Sequence, residues 1–160
     1  MDTAEHLYSG IEKELSEHGV YATNTSGVSM RPLFKTHRDV VVIKKAEGEL
    51  KKYDVVLYRS YTNGEHVYVL HRIIGVKDDA YVIRGDNTYV KEYVPKEAVL
   101  GVMISFNRKG KRHTVDESGY KAYSRIWNFI YPIRALYAKC RRFAGRVYRK
   151  LFKRRRKPSV

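Results

Sequence analysis

The sequence predicts a mainly β protein: a curled antiparallel sheet or a small barrel, with a short helix before it and a basic helical tail after it. Three observations lead to this fold class. Residues 40–106 are rich in Val, Ile and Tyr, which favour packed strands. Turn residues divide this stretch into short runs. Beyond Tyr120 the apolar residues recur about every three and a half positions, as in an amphipathic helix.

The chain of 160 residues is long enough for one domain and an appendage, so we expect a single functional site. Residues 1–20 are predicted to form an N-terminal helical element. The helix itself is predicted over residues 3–18, because apolar residues recur there at three- and four-residue steps and Gly19 follows. The β domain is predicted over residues 21–118 and the helical tail over residues 119–160.

Short β-branched or aromatic runs predict the strands of the β domain, after a loop over residues 21–32 that is rich in Thr, Ser, Asn and Gly. Asn63 and Gly64 predict a two-residue hairpin, since both tolerate positive φ, and residues 77–79 predict the next turn. The predicted strands are residues 40–43, 54–59, 66–76, 80–84 and 98–106.

The net charge of +15 comes from the tail. Of the 32 basic residues, 14 lie between residues 121 and 157, and the other 18 nearly balance the 17 acidic ones. No acidic residue follows Glu117. Pro132 interrupts the apolar helical stripe of this segment and predicts two helices or one kinked helix.

Two interpretations of the tail stay open. A basic amphipathic helix can lie on an anionic membrane surface through residues 121–157, with Trp127 and Tyr131 at the interface; alternatively, its apolar face packs on the domain. Nucleic acid is disfavoured as a partner, because no aromatic stacking module accompanies the charge. Since no signal peptide or membrane span is evident, we expect a cytoplasmic protein, peripheral on the inner face of the membrane if the tail binds lipid.

Chemistry that needs a metal or a disulfide is not predicted. Cys140 is the single cysteine of the sequence, so no internal disulfide can form. No Cys/His cluster has the spacing of a zinc site. We therefore expect no metal and no cofactor.

Ser29 and His71 are the residues that could carry covalent catalysis. A serine nucleophile needs a base within hydrogen-bond reach and donors for the oxyanion. Ser29 lies in a loop between Gly27, which permits an unusual backbone turn, and Pro32, which restricts the chain. His71 lies inside the longest predicted strand, which is a rigid support for a base. Taken one at a time, such residues are more often a turn serine and a structural histidine.

Five short segments follow one another along the chain: SGVSMRP (26–32), YDVVLY (53–58), HRIIG (71–75), RGDN (84–87) and LGVM (100–103). Together they resemble the ordered boxes of the signal peptidase I superfamily, the S24/S26-like serine peptidases. Five boxes in the right order are far more specific than one serine motif. Bacterial signal peptidases and LexA-like repressors have lysine where this chain has His71. The chain is therefore most similar to the Ser/His subgroup of archaeal and endoplasmic-reticulum-type signal peptidases.

The resemblance implies a fold of the signal-peptidase/LexA type and a serine endopeptidase that cuts an extended peptide with small residues at the cleavage site. Ser29 would be the nucleophile and His71 the general base, supported by an acidic residue. Asp86 is the favoured acid and Glu92 the alternative, while a turn aspartate is the competing interpretation of Asp86. The Ser29 N–H would bind the oxyanion. Further oxyanion or substrate contacts would come from Ser26, Gly27 and Met30.

One departure from the family leaves the substrate open. Signal peptidases are normally held by transmembrane segments, and this sequence has none. The rival interpretation is a catalytically silent or self-processing peptide-binding module, attached to membrane or nucleic acid by its basic tail. Ala144–Gly145 resembles the dipeptide that LexA-like relatives cleave in themselves.

Overall fold

A computed structural model describes residues 2–62 and 64–152, and the side chains of residues 10–149 within these ranges. Asn63 of the predicted two-residue hairpin and the basic residues 153–157 lie outside the described residues. The chain divides into two compact units, Met1–Arg125 and Ile126–Val160. The boundary falls inside the second helix, seven residues after the predicted end of the β domain.

The described residues of the first unit form one helix, eight strands and the beginning of a second helix, and those of the second unit are helical. A 3-10 turn, Lys96–Ala98, precedes the seventh strand. The elements are α1 Asp2–His18, β1 Val20–Asn24, β2 Val40–Lys45, β3 Val55–Thr62, β4 Glu65–Val76, β5 Ala80–Arg84, β6 Glu92–Pro95, β7 Val99–Arg108, β8 Lys111–Thr114, α2 Ser118–Phe129 and α3 Tyr131–Phe152.

All eight strands form one antiparallel sheet in the order β1-β2-β7-β3-β4-β5-β6, with β8 paired to β7. The mainly β prediction is confirmed. Among the described residues, β1 and β6 end the sheet without pairing to each other, so the sheet does not close. The small barrel, one of the two predicted forms, is therefore wrong.

The five predicted strands and the N-terminal helix are confirmed, with ends that differ by at most three residues. The turn over residues 77–79 is also confirmed by a 2.9 Å hydrogen bond from the Lys77 N–H to the Ala80 carbonyl. The predicted loop is wrong at its start, since Val20–Asn24 pairs with β2. This strand is at the sheet edge with alternate residues exposed, which explains its polar composition. β6 and β8, with four residues each, carry too little pattern to be predicted.

Strand β3 lies at the centre of the sheet, and its first half, residues 55–58, is buried on both faces. Val55 and Leu57 belong to one apolar core, which also takes in Leu15 of α1. Val56 and Tyr58 belong to a second core on the opposite face, with residues of β4, β5 and β7. Successive side chains of a strand point to opposite faces, so one central strand supports both cores. This makes β3 and its neighbour β4 a rigid base for a site.

The second unit, Ile126–Val160, contains the end of α2 and all of α3. The Ile130 N–H donates to the Ile126 carbonyl at 3.0 Å, and the Arg134 N–H donates to the Ile130 carbonyl at 3.1 Å. Helical hydrogen bonding therefore continues through the junction next to Pro132. Ile130 belongs to neither helix, so the two-helix form of the prediction is confirmed. Across the residues that the structure describes, no helix is long and apolar enough to cross a membrane.

Gly101 of β7 permits the close approach of β2, which gives a prediction. A β-carbon on Gly101 would lie 2.5 Å from Cγ2 of Ile43 and 2.7 Å from the Lys44 carbonyl oxygen. Gly101→Ala should therefore lower the free energy of unfolding by about 1–3 kcal/mol, measured by urea denaturation. Gly75→Ala is the control, because its β-carbon would meet Val82 at an ordinary 3.6 Å. Equal losses in the two variants would contradict this account of the strand packing.

Candidate functional site

The loop between β1 and β2 presents Ser29, and Asp39 holds that loop closed. Asp39 is fully buried, and its carboxylate accepts hydrogen bonds from the Lys35 N–H at 2.8 Å and from Arg38 Nε at 2.7 Å. Its carbonyl accepts one from the Thr25 N–H at 3.0 Å. The Arg38 hydrogen bond lowers the pKa of Asp39 to about 2. The Asp39 carbonyl thus joins the two ends of the loop, and its carboxylate, ionised at neutral pH, holds residues 35–39.

Asn87 sets the orientation of the Ser29 backbone. Its Nδ2 donates to the Val28 carbonyl at 3.2 Å, and its N–H donates to the Ser29 carbonyl at 2.7 Å. The Val28 carbonyl and the Ser29 N–H belong to one trans peptide group, in which they point in opposite directions. The Ser29 N–H therefore faces away from the Asn87 side-chain amide. Within the described residues no backbone carbonyl accepts this N–H. It is therefore available as an oxyanion donor.

His71 lies in β4, opposite Val56 of β3, and is buried. Gly85 lies close to both its ring and the Ser29 carbonyl. A β-carbon on Gly85 would lie 2.9 Å from His71 Nε2 and 2.8 Å from the Ser29 carbonyl oxygen. The fold thus brings the predicted pair, Ser29 and His71, to one point. The hydrogen bonds found among residues 10–62 and 64–149 do not include one between Ser29 Oγ and His71 Nε2. In free enzymes such bonds are often long and tighten when substrate binds.

Glu92 and Tyr58 occupy the other side of the His71 ring. His71 Nδ1 lies 3.2 Å from Glu92 Oε1 and 3.2 Å from the Tyr58 hydroxyl oxygen. The Tyr58 hydroxyl donates to Glu92 Oε2 at 2.7 Å. Since Tyr58 gives its proton to Glu92, both groups near Nδ1 are acceptors, which assigns the imidazole proton to Nδ1. The Nε2 lone pair then faces the Ser29 loop.

Asp86, the acid favoured from the sequence, has a different partner. Its two carboxylate oxygens accept 2.8 Å hydrogen bonds from Nε and Nη2 of Arg72, and Oδ2 also accepts a 3.0 Å hydrogen bond from the Tyr123 hydroxyl. The structure therefore places Glu92, not Asp86, against the His71 ring. Asp86 itself lies in the turn after β5, and the donors named here are side chains.

The alternation of side chains along the strands explains this sorting of the two acids. His71 and Arg72 are adjacent in β4, so they point to opposite faces of the sheet. Arg72 is paired with Arg84 of β5, and Asp86 follows two residues later. Glu92 reaches the His71 face because it pairs with Ile83, which in turn pairs with Ile73. Each carboxylate thus lies on the face of its partner.

Burial and charge together set the protonation of this cluster. Burial lowers the pKa of His71 below its ordinary value, and the charge and hydrogen bond of Glu92, with a smaller contribution from Asp86, offset this only in part. His71 is therefore neutral at pH 7, as a general base must be. Burial, followed by the hydrogen bond to Glu92, raises the pKa of Tyr58. The Tyr58 hydroxyl thus remains a donor.

A cleft of about 500 Å³ opens beside Ser29. Its walls come from the outer strand β1 on one side and residues 67–70 of β4 on the other, and its floor is apolar, with Leu57, Ile43 and Phe34. Both walls are strand edges: β1 ends the sheet, and β5 pairs with β4 only from Arg72 onward. Among the described residues, the cleft therefore lies between two strand segments that have no neighbouring strand on one side, beside apolar side chains.

The three further predicted residues surround Ser29 and line the same cleft. Ser26 is exposed and Gly27 has a φ of 77°, which confirms the unusual turn expected there. The Gly27 carbonyl accepts a hydrogen bond from the Thr36 hydroxyl. Met30 is buried in the core below, so its side chain forms part of the cleft floor rather than an exposed contact.

Three residues of the site were not singled out from the sequence: Tyr58, Gly85 and Asn87. The signal for Tyr58 was the predicted hairpin at residues 63–64. Such a turn pairs Val56 with His71, and alternation then puts Tyr58 on the His71 face. Gly85 and Asn87 stand in the RGDN segment, but their contacts with the Ser29 loop span more than 50 residues and leave no local pattern.

Within the described ranges, no group of three or more His, Cys, Asp or Glu side chains is arranged to hold a metal ion. Compared with known protein families and with curated proteins, the sequence matches no family model and no curated protein.

The surroundings of His71 give a prediction for its titration. In wild type, the NMR titration midpoint of His71 should lie below that of an ordinary histidine, about 6.5, because burial disfavours the charged ring. Glu92→Gln should move it lower still, since it removes the carboxylate that favours the imidazolium. Glu97→Gln, an exposed site in the 3-10 turn, is the control and should leave the midpoint unchanged. A rise in Glu92→Gln would contradict the pairing of Glu92 with the ring.

Proposed function

We propose that the protein is a serine endopeptidase of the signal peptidase kind, with Ser29 as nucleophile and His71 as general base. One observation carries the proposal: a buried imidazole has a carboxylate at Nδ1 and the Ser29 loop at Nε2. This is the order of serine, histidine and carboxylate that acyl transfer uses. The signal-peptidase/LexA type of fold belongs to the same proposal. It is supported by the five ordered segments, which here lie on one antiparallel sheet and its loops.

The reaction follows the usual two steps of acyl transfer. His71 Nε2 takes the Ser29 proton as Oγ bonds to the scissile carbonyl carbon. The tetrahedral intermediate then collapses, and the leaving amine takes the proton from the imidazolium, which leaves an acyl-enzyme. His71 next deprotonates a water molecule that attacks the ester, and Ser29 Oγ leaves with the returned proton. The Ser29 N–H stabilises both oxyanions, with Ser26 or the Gly27 N–H as second donor.

Glu92 acts as the carboxylate of this proposed triad. It accepts the Nδ1 proton and stabilises the positive charge that the ring carries after proton transfer. Tyr58 is a positioning residue, because its 2.7 Å hydrogen bond holds the half-buried Glu92 side chain beside the ring. Asp86 has a structural role, as the partner that holds Arg72 and the loop after β5.

The proposed substrate is an extended peptide or protein segment. An extended chain can hydrogen-bond to a free strand edge, and two such edges, β1 and the first half of β4, line the cleft that contains Ser29. The apolar floor favours uncharged side chains next to the cleaved bond, and the family resemblance implies that they are small. Specificity would therefore come from backbone pairing and side-chain size.

A peptide-binding module without catalysis is the second candidate. The observation that favours it is the lack of a hydrogen bond between Ser29 Oγ and His71 Nε2 within the described residues. Self-processing at Ala144–Gly145 has less support. That dipeptide lies inside α3, and a helical segment does not offer the extended backbone that a strand edge binds.

Covalent labelling separates the two candidates. A fluorophosphonate probe should label wild type at Ser29, since a neighbouring base activates that hydroxyl, and Ser29→Ala should remove both the label and any cleavage of a small-residue peptide library. His71→Ala should slow both by roughly a thousandfold or more. Ser60→Ala in β3 is the control and should behave as wild type in labelling and mass-spectrometric cleavage assays. Unchanged cleavage by Ser29→Ala would rule out the catalytic assignment.

The close approach at Gly85 predicts a loss of activity with little loss of fold. In Gly85→Ala the new methyl group displaces either the Ser29 carbonyl or the His71 ring, and misplacement of about 1 Å costs roughly a hundredfold in rate. Labelling rate and circular dichroism would be measured together. Gly75→Ala, whose β-carbon has ordinary room, should keep both. Wild-type labelling by Gly85→Ala would show that this contact does not set the geometry.

A further inference from the structure

The second unit exposes a long apolar stripe. Phe129 is 84% exposed, Ile133 70% and Leu136 63%. At 3.6 residues per turn, the stripe fills an arc of about 120° on the helix. Because helical hydrogen bonds continue across residues 126, 130 and 134, the stripe keeps one direction from α2 into α3. Its large exposed members include Ile126, Phe129, Ile133, Leu136, Tyr137 and Phe143.

Positive charge borders this stripe on both sides. By helical position, Arg134 and Arg141 lie along one border and Lys139 and Arg146 along the other. No Asp or Glu occurs anywhere from residue 118 to the end of the sequence. The occupant of the stripe must therefore accept apolar side chains and supply negative charge on both sides of them.

Trp127 lies beside Arg134, on the basic side of that border by helical position. The Arg134 guanidinium lies 3.6 Å from the centre of its indole ring. An indole at such a border, with a cation beside it, is the arrangement found at the level of lipid headgroups. Trp127 is also the single tryptophan of the sequence, so its fluorescence reports on this surface alone.

Among the possible occupants, an anionic lipid surface meets all of these conditions. A second copy of the stripe would bring two basic helices together without any neutralising acid. RNA supplies phosphates but no apolar interior for Ile133 and Leu136. An acidic protein groove would have to follow the stripe for roughly 33 Å, from residue 126 to residue 148. A bilayer surface is wide enough to contact the stripe over its whole length.

We infer that the stripe of α2 and α3 is a docking surface for membranes that contain anionic lipids. The helix lies in the plane of the interface, with its apolar side chains among the acyl chains and its arginines and lysines among the headgroups. This inference does not rest on the proposed catalysis, and it accounts for the charge asymmetry of the chain.

Vesicle flotation tests the inference on the full chain. Wild type should float with phosphatidylcholine/phosphatidylglycerol vesicles and roughly tenfold less with phosphatidylcholine alone, and raised salt should weaken binding without abolishing it. The double variant Ile133→Gln/Tyr137→Gln should lower binding roughly tenfold or more, since glutamine preserves helix propensity. The matched control is Tyr61→Gln/Val90→Gln, whose side chains are 67% and 69% exposed but lie in the first unit; it should bind as wild type.

Trp127 fluorescence gives a second, direct readout. Anionic vesicles should shift its emission to shorter wavelength in wild type and in Tyr61→Gln/Val90→Gln but not in Ile133→Gln/Tyr137→Gln. Flotation of Ile133→Gln/Tyr137→Gln equal to that of wild type would overturn the inference, as would an equal loss of flotation in Tyr61→Gln/Val90→Gln. Binding to an RNA oligonucleotide or to an acidic protein, with no binding to anionic vesicles, would also overturn it.

Discussion

The buried guanidinium of Arg72 is the group on which the rest of the first unit depends. It is fully buried, and a buried charge is tolerated only when its hydrogen-bonding groups are satisfied. Nε and Nη2 bind Asp86, and Nη1 donates to the Tyr53 carbonyl at 2.9 Å and to Ser124 Oγ at 2.8 Å. Burial lowers the pKa of Arg72, but Asp86 more than offsets this, so the pKa is raised. Arg72 therefore joins β4, the loop after β5 and the middle of α2.

The geometry around Ser29 follows from that connection. Asp86 is held by Arg72, and its neighbours Gly85 and Asn87 are consequently fixed as well. Gly85 fits between the His71 ring and the Ser29 carbonyl, while Asn87 holds the carbonyls of the Ser29 loop. The Arg72–Asp86 ion pair thus positions Ser29 and His71 indirectly, through Gly85 and Asn87. The loop after β5 therefore links the proposed nucleophile and base to the core.

The adjacent residues His71 and Arg72 have partners on opposite faces of the sheet. His71 contacts Glu92 and Tyr58 on one face, and Arg72 binds Asp86 on the other. A carboxylate beside the imidazole serves proton transfer, whereas a carboxylate beside a buried guanidinium serves stability. The two candidate acids, six residues apart in the sequence, have different partners because His71 and Arg72 point to opposite faces of β4.

The sequence by itself determined the class of fold, five of the eight strands, both terminal helical regions and the candidates Ser29 and His71. These rest on local patterns: alternation, turn residues, helical spacing and short ordered segments. Tertiary structure alone decided that the sheet stays open, that Glu92 rather than Asp86 faces His71, and that Gly85 and Asn87 hold the Ser29 loop. It also revealed β1 as an edge strand. The reason is physical: these outcomes depend on strand pairing and on contacts across 50 or more residues, which no local spacing encodes.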